Sequence, residues 1–218
     1  VRIWNNYVED TLMSIANAAT SIGPLYVWRN VGGASYSPTS SSWNMTHGPF
    51  VKMGYAGGEQ WMTGTMYFFN NTIFQENGNG HGGLGGGSRI IKHCTTRNNI
   101  LHVRPDEGRS IASSDRHEDN DFDYDFNSGA FPEGHERHGL TGAPRYAPGA
   151  GFDFETKTGD FHLAPGSMGV DAAAVIPNFC EARAGDPPDR GAHESGTAPM
   201  QFGVRAQFIP PNAVADHE

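Results

Sequence analysis

The feature that most constrains this chain is a pair of polar residues, usually Asn-Asn, set between large apolar residues and repeated along its first half. It stands in Tyr67-Phe68-Phe69-Asn70-Asn71-Thr72-Ile73-Phe74, upstream in Ile3-Trp4-Asn5-Asn6-Tyr7-Val8 and Tyr26-Val27-Trp28-Arg29-Asn30-Val31, and downstream in Thr96-Arg97-Asn98-Asn99-Ile100-Leu101. Asp119-Asn120-Asp121-Phe122 reads as a softer copy. With the second polar residue of each as anchor, at positions 6, 30, 71, 99 and 121, the steps are 24, 41, 28 and 22 residues. Periods in the twenties with one excursion belong to stacked repeats.

Asparagine tolerates the left-handed backbone of a sharp corner better than other non-glycine residues. Stacked corners bring the amides one above another, where each donates to one neighbour and accepts from the other, a bond worth about 1 kcal/mol net. Ile3, Val27, Phe69 and Ile100 are expected to fill the interior. The pattern predicts an all-β right-handed parallel β-helix with an asparagine ladder. A β-sandwich with Asn-rich turns is the competing architecture. It favours Asn-Gly hairpins, and none of the five anchors precedes glycine.

A length of 218 residues suits one sizeable core, and 29 glycines with 14 prolines and no long helical period suit a loop-rich β protein. Residues 1–129 are expected to form the coils, 130–194 a last coil and a loop-rich carboxy-terminal cap, and 195–218 an irregular tail. Val1 already stands inside a rung, so a processed or partial chain is expected, with an amino-terminal cap and earlier coils preceding it, and association with that part or with other chains. No apolar run reaches bilayer length. Cys94 and Cys180 either pair or stand as two buried thiols.

The net charge of −9 is unevenly spread. Between Thr11 and Pro105 six basic residues face only Glu59 and Glu76, net +4, while the remainder holds nine basic and 22 acidic residues. A basic coil surface on an acidic protein concentrates anionic ligands, and four charges scattered around a solenoid do not; both readings stay open. Nucleic acid is not an expected partner.

Residues 32–49 form the long excursion, followed by the strand Phe50-Val51-Lys52-Met53 and a second loop from Gly54 to Trp61. Trp43, Tyr55 and Trp61 offer flat faces for sugar rings, or pin their loops to the barrel. Gly80-His81-Gly82-Gly83-Leu84-Gly85 fits G-x-G-x-x-G, but a strand follows it instead of a helix, which argues against a dinucleotide site. Asp119, Asp121, Asp123 and Asp125 alternate, so on one strand they share a face. A solvated rung is favoured there over a Ca²⁺ site, because the spacing is not that of a calcium loop. His135-Glu136-Arg137-His138 lacks a third ligand for zinc and reads as an exposed loop.

The most specific stretch is Gly159-Asp160-Phe161-His162-Leu163-Ala164-Pro165-Gly166-Ser167-Met168-Gly169-Val170-Asp171, followed by Pro188-Asp189-Arg190-Gly191-Ala192-His193-Glu194. It resembles the carboxy-terminal signature of secreted bacterial β-helix repeat proteins of the pectate-lyase-like superfamily, with Met168-Gly169-Val170 in place of Pro-Ala-Ile. The resemblance implies an extracellular or periplasmic protein in a superfamily of polysaccharide lyases, glycoside hydrolases, epimerases and phage spikes.

Each chemistry must be tested on residues. A polygalacturonase-like hydrolase needs paired carboxylates near Gly80-His81-Gly82, and no aspartate lies between Thr11 and Pro105. A lyase needs a base for the proton beside a uronate carboxylate and a cation for the enolate. Lys52 is the expected base, Tyr55 or His47 the proton donor, and Arg29 or Arg89 the carboxylate holder. Trp43, Trp61, Lys92 and His81 are the expected substrate contacts, and Ca²⁺ is a candidate cofactor. No lyase-family signature surrounds these residues. Two functions follow: an enzyme or binder acting on an acidic polysaccharide, or a non-catalytic adhesion, glycan-binding or assembly subunit docking another polyanion.

Overall fold

The computed structural model describes residues 1–9, 15–18, 23–33, 49–54, 64–74, 82–85, 91–103, 108–111, 119–153, 155–156, 158–180 and 183–206, with backbone alone at 15–18 and 49–54. Strands follow the chain in circuits. The first is β1 (Arg2–Trp4), β2 (Tyr7–Val8) and β3 (Ile15–Ala18); the second is β4 (Leu25–Trp28), β5 (Val31–Gly32) and β6 (Pro49–Gly54). The third is β7 (Met66–Phe69), β8 (Thr72–Phe74) and β9 (Gly82–Gly85), and the fourth β10 (Cys94–Arg97), β11 (Ile100–His102) and β12 (Arg109–Ile111). A fifth begins with β13 (Asp121–Phe122) and β14 (Phe126–Asn127).

Each strand pairs in parallel with its counterpart one circuit away, giving a first sheet β1-β4-β7-β10-β13, a second that runs from β2 through β5, β8 and β11 to β14, and a third β3-β6-β9-β12. β15 (Leu140–Thr141) extends the second sheet beyond β14. A separate antiparallel sheet joins β16 (Gly151–Asp153), β17 (Thr158–Asp160) and β18 (Met200–Gln201). The described residues contain no α-helix, only one short 3-10 turn at Gly203–Arg205, and no helix long and apolar enough to cross a membrane.

The corner between the first and second sheets explains the sequence repeat. The first residue of each polar pair is left-handed: Asn5, Arg29, Asn70, Asn98 and Tyr124 have φ between 50° and 62°. The second builds the ladder. The Nδ2 of Asn6 donates to Oδ1 of Asn30 at 2.9 Å, Asn30 to Asn71 at 3.0 Å, and Asn71 to Asn99 at 2.8 Å. Backbone N–H groups of the same residues donate in parallel to the same oxygens.

The next member of the file is Asp125, which accepts from both N and Nδ2 of Asn99 at 2.8 Å. The softer copy around Asp121 is therefore not the fifth anchor; that residue lies on β13, and the corner comes four residues later. The alternating aspartates share a face only in part, for the same reason: Asp119 and Asp121 are exposed and alternate with buried Asn120 and Phe122. Asp119 pairs with His93, Asp121 with Arg97 and Asp123 with His138, while Asp125 is turned past the corner and fully buried.

The register also corrects two interior assignments. Ile3, Val27, Phe68, Thr96 and Phe122 are cross-strand neighbours. Phe68, not Phe69, joins the main core cluster with Val27 and Phe122. Ile100 packs on the other side of its strand, with Phe126 and Leu163, and its neighbour Leu101 faces the core. Strand alternation makes a one-residue slip reverse the face. Phe69 lies beside Trp28 under the ring of Phe179, at 5.1 Å.

The carboxy-terminal segment lies along the wall of the second sheet. Val31 packs with Phe161, Ala192, Met200 and Phe202, and Ile100 with Leu163. Both faces of that sheet are thereby buried, each large side chain contributing about 1.5–3 kcal/mol. Phe131 packs against the main cluster, and the His135 ring sits 4.8 Å from that of Phe122. Neither cysteine is in a disulfide; both are buried.

Candidate functional site

The residues of the sequence signature act as a clasp. Asp189 accepts from the N–H groups of Asp171 and Ser195, both at 2.7 Å. Arg190 spans three backbone carbonyls, of Ala172, Asp125 and His138. Gly191 donates to the corner carbonyl of Asn98 at 2.6 Å, and Ala192 to the Thr72 hydroxyl. Gly191 has φ +97°, and a Cβ there would meet Ile100 at 2.6 Å, so only glycine lets the clasp approach the sheet. Glu194 receives the N–H groups of Gly185 and Asp189; burial raises its pKa and those bonds oppose the rise.

Asp160, His162 and His193 place three potential metal-ligand atoms within 4.8 Å of one another. Their nitrogens are already engaged. His193 accepts the Phe161 N–H at Nδ1 and donates Nε2–H to Ala198 O at 3.1 Å. His162 stands between Asp160, at 2.6 Å, and Glu194 O, at 2.7 Å. Burial and the nearby His162 push His193 down to about 4, so it is neutral at physiological pH. The group ties the clasp to β17.

Arg29 sits at the corner, half-buried, its Nε donating to Ala192 O at 3.2 Å. Burial lowers its pKa and the Glu194 charge opposes that. It lines a small cleft with Asn70, Cys180, Arg183, His193 and Glu194. Lys52 lies elsewhere, on β6 of the third sheet, level with Ala16 and Gly85. The expected base and carboxylate holder therefore belong to different parts of the circuit, because four residues of strand and corner separate Arg29 from the first sheet's start while a long excursion intervenes before β6. Lys92 is half-buried just before β10. Trp43, His47, Tyr55, Trp61, His81 and Arg89 lie outside the described residues.

Comparison with known protein families, with curated proteins and with solved structures returned no match. Function is therefore argued from the residues alone.

The third sheet has its own chemistry. β9 is Gly82-Gly83-Leu84-Gly85, a strand bare of side chains at three of four positions. It is flanked by β6, with Lys52 level with Gly85, and by β12, with exposed Arg109 level with Gly82.

Two features escaped the sequence reading. One is a file of half-buried aromatic rings on the first sheet: Trp4 and Trp28 stack at 5.9 Å and Tyr26 and Tyr67 at 5.0 Å, with Phe179 edge-on to Trp28. Its signal was the alternation of aromatics around Ile3, Val27 and Phe68. The other is the buried carboxyl pair Asp125 and Glu136, where Asp125 N donates to Glu136 Oε2 at 3.0 Å. Burial and the neighbouring Asp125 push Glu136 up to about 9, so it keeps its proton. His135-Glu136-Arg137-His138 is thus not wholly an exposed loop: Glu136 is 8 % exposed.

Proposed function

We propose that this chain is a right-handed parallel β-helix of the pectate-lyase-like superfamily, secreted to the periplasm or cell exterior, that takes an acidic polysaccharide along its third sheet. The observation that supports the reading is that the third sheet sets basic positions on both strands beside β9, Lys52 on β6 and exposed Arg109 on β12. Basic residues carried by one sheet suit a polyanionic ligand, since cations close to a low-dielectric wall attract charge more strongly than cations in bulk water. In sequence, His47 lies two residues ahead of β6, Tyr55 follows that strand directly, and His81 immediately precedes β9. If the protein is catalytic, the reaction is β-elimination, with Lys52 removing the proton beside the carboxylate.

The non-catalytic alternative, a glycan-binding or assembly subunit, is favoured by the engagement of Arg29 with the clasp. The test is to incubate the protein with polygalacturonate, alginate and chondroitin sulfate, following both retardation in affinity gels and the ultraviolet absorbance of unsaturated uronate. Retardation that is lost in Lys52→Ala and Arg109→Ala supports the site, and absorbance in addition supports the lyase. Retardation unchanged in both variants, or none on any polymer, overturns the proposal.

A further inference from the structure

The cleft at Arg29 holds more hydrogen-bonding capacity than the clasp uses. Of the guanidinium nitrogens, Nε donates to Ala192 O at 3.2 Å, while Nη1 and Nη2 take no partner among the described residues. A half-buried guanidinium with its terminal fork open is costly unless an acceptor comes to it. The corner itself does not call for arginine. Its φ is 51°, in the left-handed region, and asparagine stands in the same place at Asn5, Asn70 and Asn98. Asn98 shows that an amide there already grips the carboxy-terminal segment: its Nδ2 donates to Ala174 O and its Oδ1 accepts the Ala174 N–H, both at 2.8 Å.

Phe179 and Arg183 line the cleft beside Arg29, Cys180, His193 and Glu194, and its space is about 20 Å³. A single water needs about 10–15 Å³ of such space, so the cleft takes the two oxygens of a carboxylate and is too small for a phosphate or a sugar ring. Glu194 is the one carboxylate in the lining. Its oxygens are turned to the backbone, Oε1 taking the Gly185 N–H at 3.3 Å and Oε2 the Asp189 N–H at 3.0 Å. Arg183 donates to Cys180 O at 3.2 Å and reaches exposed Asp186 at 3.5 Å. Arg29 is therefore the cation whose fork is left for a ligand.

We infer that this cleft binds a small organic carboxylate, its two oxygens on Nη1 and Nη2 of Arg29 and its carbon body against Phe179. Two parallel charge-assisted N–H···O bonds are the strongest use of a planar fork, and a carboxylate is the acceptor that matches it. A clasp alone needs only the one donor that Nε supplies. The site belongs to the corner between the first and second sheets, whereas Lys52 and Arg109 belong to the third, so it does not rest on the polysaccharide reading.

Cys180, in the lining, reports on occupancy. Its labelling by iodoacetamide is read by peptide mass, so that Cys94 in the core is counted apart, with benzoate present or with benzyl alcohol, which has the ring and no carboxylate. Benzoate is expected to slow labelling of Cys180 several-fold and to raise Tm by mass action, and benzyl alcohol to do neither. Arg29→Lys keeps the charge and gives up the fork; Arg29→Gln gives up both and keeps an amide donor for Ala192 O. Protection by benzoate should weaken in the first and vanish in the second. Equal protection by acid and alcohol, none by benzoate, or undiminished protection in Arg29→Gln overturns the inference. The comparison of acid with alcohol on the unaltered chain decides even where a variant fails to fold. Retardation on polymers is read separately, so this inference and the third-sheet reading can each fail alone.

Discussion

Along the corner file, the upstream and downstream ends solve the same problem with different chemistry. From Asn6 to Asn99 each rung is an amide that donates forward, and Asn30, Asn71 and Asn99 also accept from behind. Asparagine Nδ2 also reaches back to the carbonyl of the inward residue in the preceding circuit: Asn30 to Ile3, Asn71 to Val27, Asn99 to Phe68. Asp125 has no N–H to offer the equivalent residue, Thr96. Instead the Thr96 hydroxyl donates to Asp125 Oδ2 at 2.5 Å. Thr96 is the one hydroxyl among the inward row Ile3, Val27, Phe68 and Phe122, and it stands beside the one rung that needs a donor. The file thus turns from amide on amide to carboxyl on carboxyl, and the turn is compensated from the neighbouring strand.

The comparison teaches where the stack is propagated and where it stops. An amide passes its Nδ2–H as a donor to the next rung. Asp125 passes only its backbone N–H to Glu136, whose protonated carboxyl ends the series.

The largest expected effect comes from the amide end. Asn71→Ala strands the backbone N–H of Asn30, removes the side-chain donor to Val27 O and leaves Asn99 Oδ1 only the backbone N–H of residue 71, and should cost about 4 kcal/mol in urea unfolding, several bonds' worth of buried loss. A cost under about 1 kcal/mol would mean the file is ornamental to stability.

At the carboxyl end, Thr96→Val should cost about 2 kcal/mol by stripping Asp125 of a buried donor. Asp125→Asn should relieve part of that loss. A double-mutant cycle between the two positions measures the compensation, and additive costs would break the pairing argued here.

The pH dependence sharpens the same contrast. Glu136 is raised from 4.5 to about 9. Its contribution is full below the unfolded value and is lost progressively as pH rises towards 9. His193 is lowered from 6.5 to about 4. Its contribution is full above 6.5 and lost as pH falls to 4. The two slopes oppose one another between 4.5 and 6.5, leaving net decline above that window. Glu136→Gln should flatten the alkaline limb and stabilise the protein at pH near 9 by about 2 kcal/mol. An unchanged alkaline limb would place the proton elsewhere.

The smallest effect is expected on the exposed side of the first sheet. Arg97→Ala removes the exposed pair with Asp121 and should change stability by about 0.5 kcal/mol or less, since such pairs are screened by water.

The sequence by itself determined the stacked parallel strands and the corner, since both rest on local requirements repeated at every circuit. A left-handed residue followed by a buried amide is legible in Asn5-Asn6, Asn70-Asn71 and Asn98-Asn99 without knowing the neighbours. Only the tertiary structure decided which residue closes the file, which face Phe69 and Ile100 take, and that Arg29 serves the clasp while Lys52 sits on the third sheet. Those outcomes depend on register and on contacts across long separations, such as Arg190 with Asp125 and Gly191 with Asn98. An alternating strand pattern carries no absolute phase until the partner strand supplies it.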